Sequence, residues 1–225
     1  MVVPIICLIL VFIVLLPIYL HSEEHSGFKK ATTLKLILSG VCSLTALLGL
    51  ILNAVGETHV DIPRVLVVLA LGCAFFGDYY LQFIRLDEKK YNIGIMCFAS
   101  TQIFLIVFLC LQHGVSWPEF ILAAVIVVCM QLLMVMQKWV LGRAKIPLSI
   151  YTLLLAFMTG KAVMALFGDS FSWSVGLIAV GAVLFMTSDV FLGINNYKAD
   201  KRILANLNWI TYFCGIFLIA LSNWF

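Results

Sequence analysis

Charge is the scarcest commodity in this chain. Only 11% of its 225 residues are Asp, Glu, Lys or Arg, against about a quarter in an ordinary soluble domain. That scarcity excludes a solvated globular surface. The net charge of +3 is too small and too dispersed for a nucleic-acid footprint, so no nucleic-acid partner is expected. The chain also lacks a CxxC pair. Its seven cysteines, Cys7, Cys42, Cys73, Cys97, Cys110, Cys129 and Cys214, are odd in number and scattered through apolar runs, which excludes a disulfide framework or a zinc site and leaves them as small packing residues. The four histidines, His21, His25, His59 and His113, fall in loops or at span ends without ligand spacing. No GxSxG segment is present. No metal or other cofactor is expected.

What the chain has instead is hydrophobic length: 64% of it is apolar. A hydrocarbon core about 30 Å thick needs roughly 20 mostly apolar residues per spanning helix, and the sequence supplies such runs one after another. They do not alternate, as the strands of a membrane barrel would. The fold class is therefore all-α, a polytopic membrane protein with eight transmembrane helices at about 2–20, 34–53, 65–84, 92–112, 117–137, 147–167, 172–194 and 203–224. The first run, MVVPIICLILVFIVLLPIYL, lacks the basic start and small-residue cleavage site of a signal peptide and reads as the first span. Connections are short, and residues 1–225 read as one integral membrane domain.

Basic residues support this count independently. Lys29, Lys30 and Lys35; Arg85, Lys89 and Lys90; Lys138, Arg143 and Lys145; and Lys198, Lys201 and Arg202 occupy every second connection. With eight spans all four groups lie on one side, and positive loops stay cytoplasmic. Both termini are then expected on the non-cytoplasmic side.

Two carboxylates stand inside the apolar runs. Asp78 lies in GDYYL of span three and Asp189 in SDVFL of span seven, 111 positions apart. Seven residues separate Asp78 from Arg85 and nine separate Asp189 from Lys198, which puts both acids about 10 to 14 Å of helix inside the basic edge. The two segments also share a small residue, Asp, two bulky residues and Leu, an echo consistent with duplication of a four-helix unit. Ionisable residues within a membrane are rare, face the bundle interior and count as functional by default. A lone buried Asp would serve equally well as helix-packing glue; two at matched depth weigh against that reading. Gln82, Gln102, Tyr151, Asn195, Asn208 and Tyr212 fall near the same depth and are the candidate lining or supporting residues. Lys161 lies toward the other edge, where it is expected to snorkel to water.

GDYYL in span three, the YxxxxxxM of Tyr151–Met158 in span six and SDVFLGINNY in span seven resemble the lysoplasmalogenase-like family, also called the YhhN family. The eight-helix layout matches too. Three positions depart from the family's pattern: Ala31 replaces a proline at the start of span two, Gln102 stands near a frequent histidine, and Gly215 stands near a frequent glutamine. The resemblance implies a lysophospholipid substrate, a lysoplasmalogen, whose vinyl-ether bond is hydrolysed to a fatty aldehyde and a glycerophospho-base with Asp78 and Asp189 as the catalytic pair. Such chemistry starts with proton transfer to the β-carbon and needs one protonated acid beside one ionised carboxylate, a division that neighbouring buried acids reach by sharing a proton. Lys30, Arg85 and Lys198 are the candidate headgroup contacts, since basic clusters at a membrane edge bind lipid headgroups. The alternative is a proton- or cation-coupled transporter or lipid-handling protein using the same acids across a repeat interface. The residues leave the oligomeric state open.

Overall fold

The structure, a computed structural model, describes residues 2–25, 28–55, 61–83, 87–137, 139, 145–168, 172–198 and 201–225, with the side chains of 24, 25, 28 and 29 excepted. Eight helices are long and apolar enough to cross a membrane: α1 (Val2–Glu23), α2 (Lys30–Ala54), α3 (Ile62–Leu81), α4 (Glu88–His113), α5 (Trp117–Met136), α6 (Lys145–Ala165), α7 (Trp173–Tyr197) and α8 (Arg202–Trp224). No strand occurs among the described residues. In hydrocarbon a helix satisfies its own backbone, which is why apolar runs of this length take that form.

Local chemistry sets the ends. Asp87 accepts from the backbone N–H groups of Lys89 and Lys90 at the start of α4, and Ser172 accepts from that of Ser174 at the start of α7, satisfying donors that a helix start leaves unpaired. Proline stands in the first turn of α3 and of α5, where its missing N–H costs nothing. Gly114, at φ 63°, ends α4 in a left-handed conformation. Pro17 follows a π-helical turn over Leu10–Leu15 in α1; the wider turn accommodates the proline ring, which would otherwise meet the carbonyl four residues back.

Six helices form a ring in the order α2, α3, α4, α6, α7, α8, closed by contact between α8 and α2. The other two lie outside it, α1 against α2 and α5 against α6. Moving four helices along the chain maps each neighbour pair of the ring onto another. The tightest pairs, α3 with α4 and α7 with α8, are one such match. Gly94 of α4 lies against the α3 backbone at Leu81, and a Cβ there would come within 2.9 Å of the Leu81 nitrogen. Small residues allow this approach where no hydrophobic effect drives helices together.

At the end of the bundle opposite the basic loops, Lys161 does not snorkel. It is fully buried, its Nζ 2.9 Å from Oε2 of Glu119, and it also donates to the Gly114 carbonyl. Ser116 donates to the other Glu119 oxygen at 2.9 Å. A carboxylate in the first turn of α5 supplies at depth what the ammonium would otherwise seek in water. Nearby, Asn223 donates to the carbonyls of Ala46 on α2 and Arg64 on α3, and Trp224 donates to that of Thr45. These bonds latch the chain end onto the ring.

Candidate functional site

Asp78 on α3 and Asp189 on α7 lie on corresponding helices of the ring, and both line one cleft. Its walls are mostly apolar and aromatic: Ile95 and Phe98 of α4, Met130 and Met134 of α5, Leu148 and Leu155 of α6, and Leu192 of α7. That apolar lining with a few convergent polar groups suits a small-molecule or lipid-chain site.

The two carboxyls have different partners. Asp78 is buried; its Oδ1 lies 3.1 Å from Nζ of Lys35 and its Oδ2 accepts from the Tyr212 hydroxyl at 2.6 Å. An edge-on ring contact from Phe98 at 6.1 Å and a tilted one from Phe185 at 5.7 Å hold the Tyr212 ring. Asp189 is half-buried and accepts from the Tyr151 hydroxyl. Among the described residues no cation forms an ion pair with it. One acid is thus part of a charge-compensated cluster, while the other faces only a neutral phenol and the cleft.

Lys35 is the residue that sequence reasoning missed. Counted there as a loop base, it stands inside α2, 4% exposed, with its ammonium 4.4 Å from the centroid of the Trp209 ring. The signal was its setting in Leu34-Lys35-Leu36-Ile37-Leu38, a lysine already followed by unbroken apolar sequence. The Trp209 indole N–H in turn donates to Oε1 of Glu23 at 2.8 Å. A continuous chain of contacts therefore runs Glu23, Trp209, Lys35, Asp78, Tyr212.

Glu23 and Lys35 belong to a second cavity, a vestibule lined by α1, α2, α3, α7 and α8. Leu81, Leu192, Asn196, Asn208 and Trp209 line both spaces. Lys35 lines only the vestibule and Asp78 only the cleft, so their ion pair forms part of the wall between them.

The remaining candidates divide. Tyr151, Asn208 and Tyr212 line the cleft; Gln82 and Asn195 line the vestibule. Gln82 is engaged with Thr32 and with the Tyr79 carbonyl, and Asn195 accepts from the N–H of Lys201, just before α8, at 2.8 Å. Gln102 lines neither cavity; it is fully buried on α4, with its amide beside the Tyr151 side chain. Lys30 and Lys198 line neither space: Lys30 is exposed, and Lys198 donates to Gln137. Arg85 lies outside the described residues. Gly215, where the family pattern suggests glutamine, is a close-approach position, and a Cβ on it would come within 2.9 Å of the Gly181 carbonyl oxygen. A longer side chain has no room at that helix crossing.

Two further residues shape the cleft. Trp139, between α5 and α6, stacks on Tyr197 at 5.5 Å and lies so close to α7 at Gly193 that a Cβ there would collide with its ring. Tyr91 and Tyr197 share a hydrogen bond of 3.1 Å. These aromatics close the cleft at the basic end of the bundle.

No curated protein and no solved structure matches the chain. The profile of the YhhN family matches residues 27–223, a stretch that takes in both aspartates, Lys35 and both tyrosine partners, and the chain belongs to that family.

Proposed function

We propose that the protein is a membrane hydrolase that cleaves the vinyl ether of a lysoplasmalogen, releasing a fatty aldehyde and a glycerophospho-base. The observation that carries this reading is the unequal pair of carboxyls in one mostly apolar cleft. Asp189, without a cation, supplies the proton. Asp78, paired with Lys35 and bonded to Tyr212, is the ionised member, and its charge is balanced before substrate arrives.

The alkenyl chain lies along the apolar wall. Asp189 transfers its proton to the β-carbon of the vinyl ether, and the C=C electron pair forms the new C–H bond. The adjacent carbon becomes an oxocarbenium ion beside two carboxylates, which stabilise it electrostatically. Water adds to that carbon and returns a proton to Asp189. The hemiacetal then collapses: its hydroxyl proton passes to the departing glycerol oxygen, the C–O bond breaks, and the aldehyde forms. One water is consumed and no net proton. Burial of the cleft keeps other nucleophiles out, and general acid–base catalysis of this kind contributes typically about 10² to 10⁴-fold.

The test is purified full-length protein in detergent given a lysoplasmalogen, with aldehyde release measured. Release lost in Asp189→Asn, with the fold retained, supports the reading. Proton-coupled uptake into sealed vesicles with no aldehyde formed would replace it with a transport function for the same acids.

A further inference from the structure

Gln102 lines neither cavity, yet it is fully buried, with its amide beside the Tyr151 side chain. Helical spacing explains the placement. Residues four apart share one helix face, and Phe98, one turn before Gln102 on α4, meets the Tyr212 ring at 6.1 Å. One face of α4 therefore meets both phenols, with a hydrocarbon ring against the partner of Asp78 and a carboxamide against the partner of Asp189. Thr101, the neighbouring polar residue, gives its hydroxyl to the carbonyls of Ala70 and Cys97. The position 111 residues on from Gln102, on α8, is Phe213, whose ring has no N–H to donate. A buried amide left without a partner is costly. The Tyr151 hydroxyl has committed its proton to Oδ2 of Asp189, so what its oxygen still offers a neighbour is a lone pair.

We infer that Gln102 is a positioning residue for the acid step, its amide N–H donating to the Tyr151 oxygen and so fixing the direction of the hydrogen bond between Tyr151 and Asp189. This rests on the hydrolase reading and adds to it the device that aims the proton. A protonated carboxyl beside a phenol has two arrangements. In one, the phenol donates to Oδ2 and the acid proton sits on Oδ1, from which it passes to the β-carbon. In the other, the acid proton sits on Oδ2 and is given to the phenol oxygen, where it does no chemistry. An N–H already bonded to that oxygen opposes the second arrangement, and by polarising the phenol it strengthens the first. Gln102 touches no reacting atom and acts only through Tyr151. Asp78 needs no such device, because beside Lys35 its carboxylate only accepts.

The experiment joins an infrared spectrum to kinetics, both on the full chain in detergent. The C–O stretching band of a phenol distinguishes a tyrosine that only donates from one that both donates and accepts. The band of Tyr151 is isolated in each background by subtracting the spectrum of the Tyr151→Phe protein. In Gln102→Met, which keeps the side-chain length but has no N–H, the band is expected to move to the donor-only position. In the same variant kcat for aldehyde release is expected to fall about 3- to 10-fold, the size of a lost neutral hydrogen bond. KM is expected to stay unchanged, as is equilibrium binding of a 1-O-alkyl lysophosphocholine, whose saturated ether the vinyl-ether chemistry cannot cleave. In a Tyr151→Phe background the substitution is expected to cost less than about twofold, because the two residues act as one unit. Gln102→Asn, which withdraws the amide by one methylene, repeats the test should the methionine variant not fold. A Tyr151 band that does not move, an unchanged kcat, or a kcat loss that simply adds to that of Tyr151→Phe overturns the proposal. If wild type releases no aldehyde while the band moves, the hydrolase reading falls and the hydrogen bond from Gln102 to Tyr151 stands. If aldehyde is released and the band does not move, only the role of Gln102 falls.

Discussion

The cleft and the vestibule are built from corresponding helices yet hold opposite chemistry. The cleft is lined by α3 to α8, the vestibule by α1 to α3, α7 and α8. Asp78 and Asp189 are 111 positions apart, and so are three pairs of lining residues: Tyr19 with Met130, Glu23 with Met134, and Leu81 with Leu192. At the outer helix the slots that hold Tyr19 and Glu23 on one side hold two methionines on the other. The neighbouring helices correspond in order, but the side chains at these positions differ, a phenol and a carboxylate on one side and two thioethers on the other. The acids follow the same rule. Asp78 has a lysine from α2 and a tyrosine from α8; Asp189 has a tyrosine from α6 and, among the described residues, no cation.

The sharpest way to break this comparison is to neutralise each acid separately. Asp189→Asn is expected to lower aldehyde release by about 10² to 10⁴-fold, the range of a lost general acid, while the melting temperature stays within a few degrees. Asp78→Asn removes the counter-charge of buried Lys35, and stranding one member of a buried pair costs about 3–5 kcal/mol. Thermal melting in detergent should therefore fall steeply, and the Lys35→Met/Asp78→Asn double variant should recover much of the loss. Equal melting losses in the two single variants would show that the environments do not differ. At the far end of the bundle, Glu119→Gln strands Lys161 in the same way, with a stability loss of about the same size but unchanged kcat/KM per folded molecule.

Finer comparisons use the phenols. A hydrogen bond to a charged group is worth about 1.5–3 kcal/mol. Tyr212→Phe is expected to appear mainly in the melting temperature, because Asp78 is part of the charged cluster. Tyr151→Phe is expected to appear mainly in kcat, because Asp189 handles the proton. Smallest of all, Lys30→Ala and Lys198→Ala should each change stability by less than about 0.5 kcal/mol and leave lysolipid binding unchanged by the same equilibrium assay.

The eight helices were legible because hydrophobic length and alternating loop charge both register them in one dimension. The aspartates were visible for the same reason: a carboxylate within a long apolar run is conspicuous. Their partners were harder to read. A membrane helix is apolar all round, so helical phase does not reveal which face meets the ring interior. Gln102, at the expected depth, proved buried outside both cavities, whereas Lys35, near a helix end, points to the centre. Charge counting treats a lysine at a span boundary as topology. Whether it snorkels outward or pairs inward depends on a counter-charge elsewhere in the chain, in Asp78 for Lys35 and in Glu119 for Lys161. The Glu23 position was equally hidden, because its meaning comes from Trp209, which lies 186 positions away.

The latch of Asn223 and Trp224 onto α2 and α3 has a consequence for biogenesis. It joins parts of the chain 177 and 179 positions apart, at the seam where α8 meets α2. During synthesis α2 therefore enters the bilayer carrying Lys35 well before its final neighbour exists, and the ammonium must wait, first for Asp78 and then for the ring to shut around it. The ring cannot close before α8 is in place, and a chain held short of α8 leaves that side of the chamber unlined.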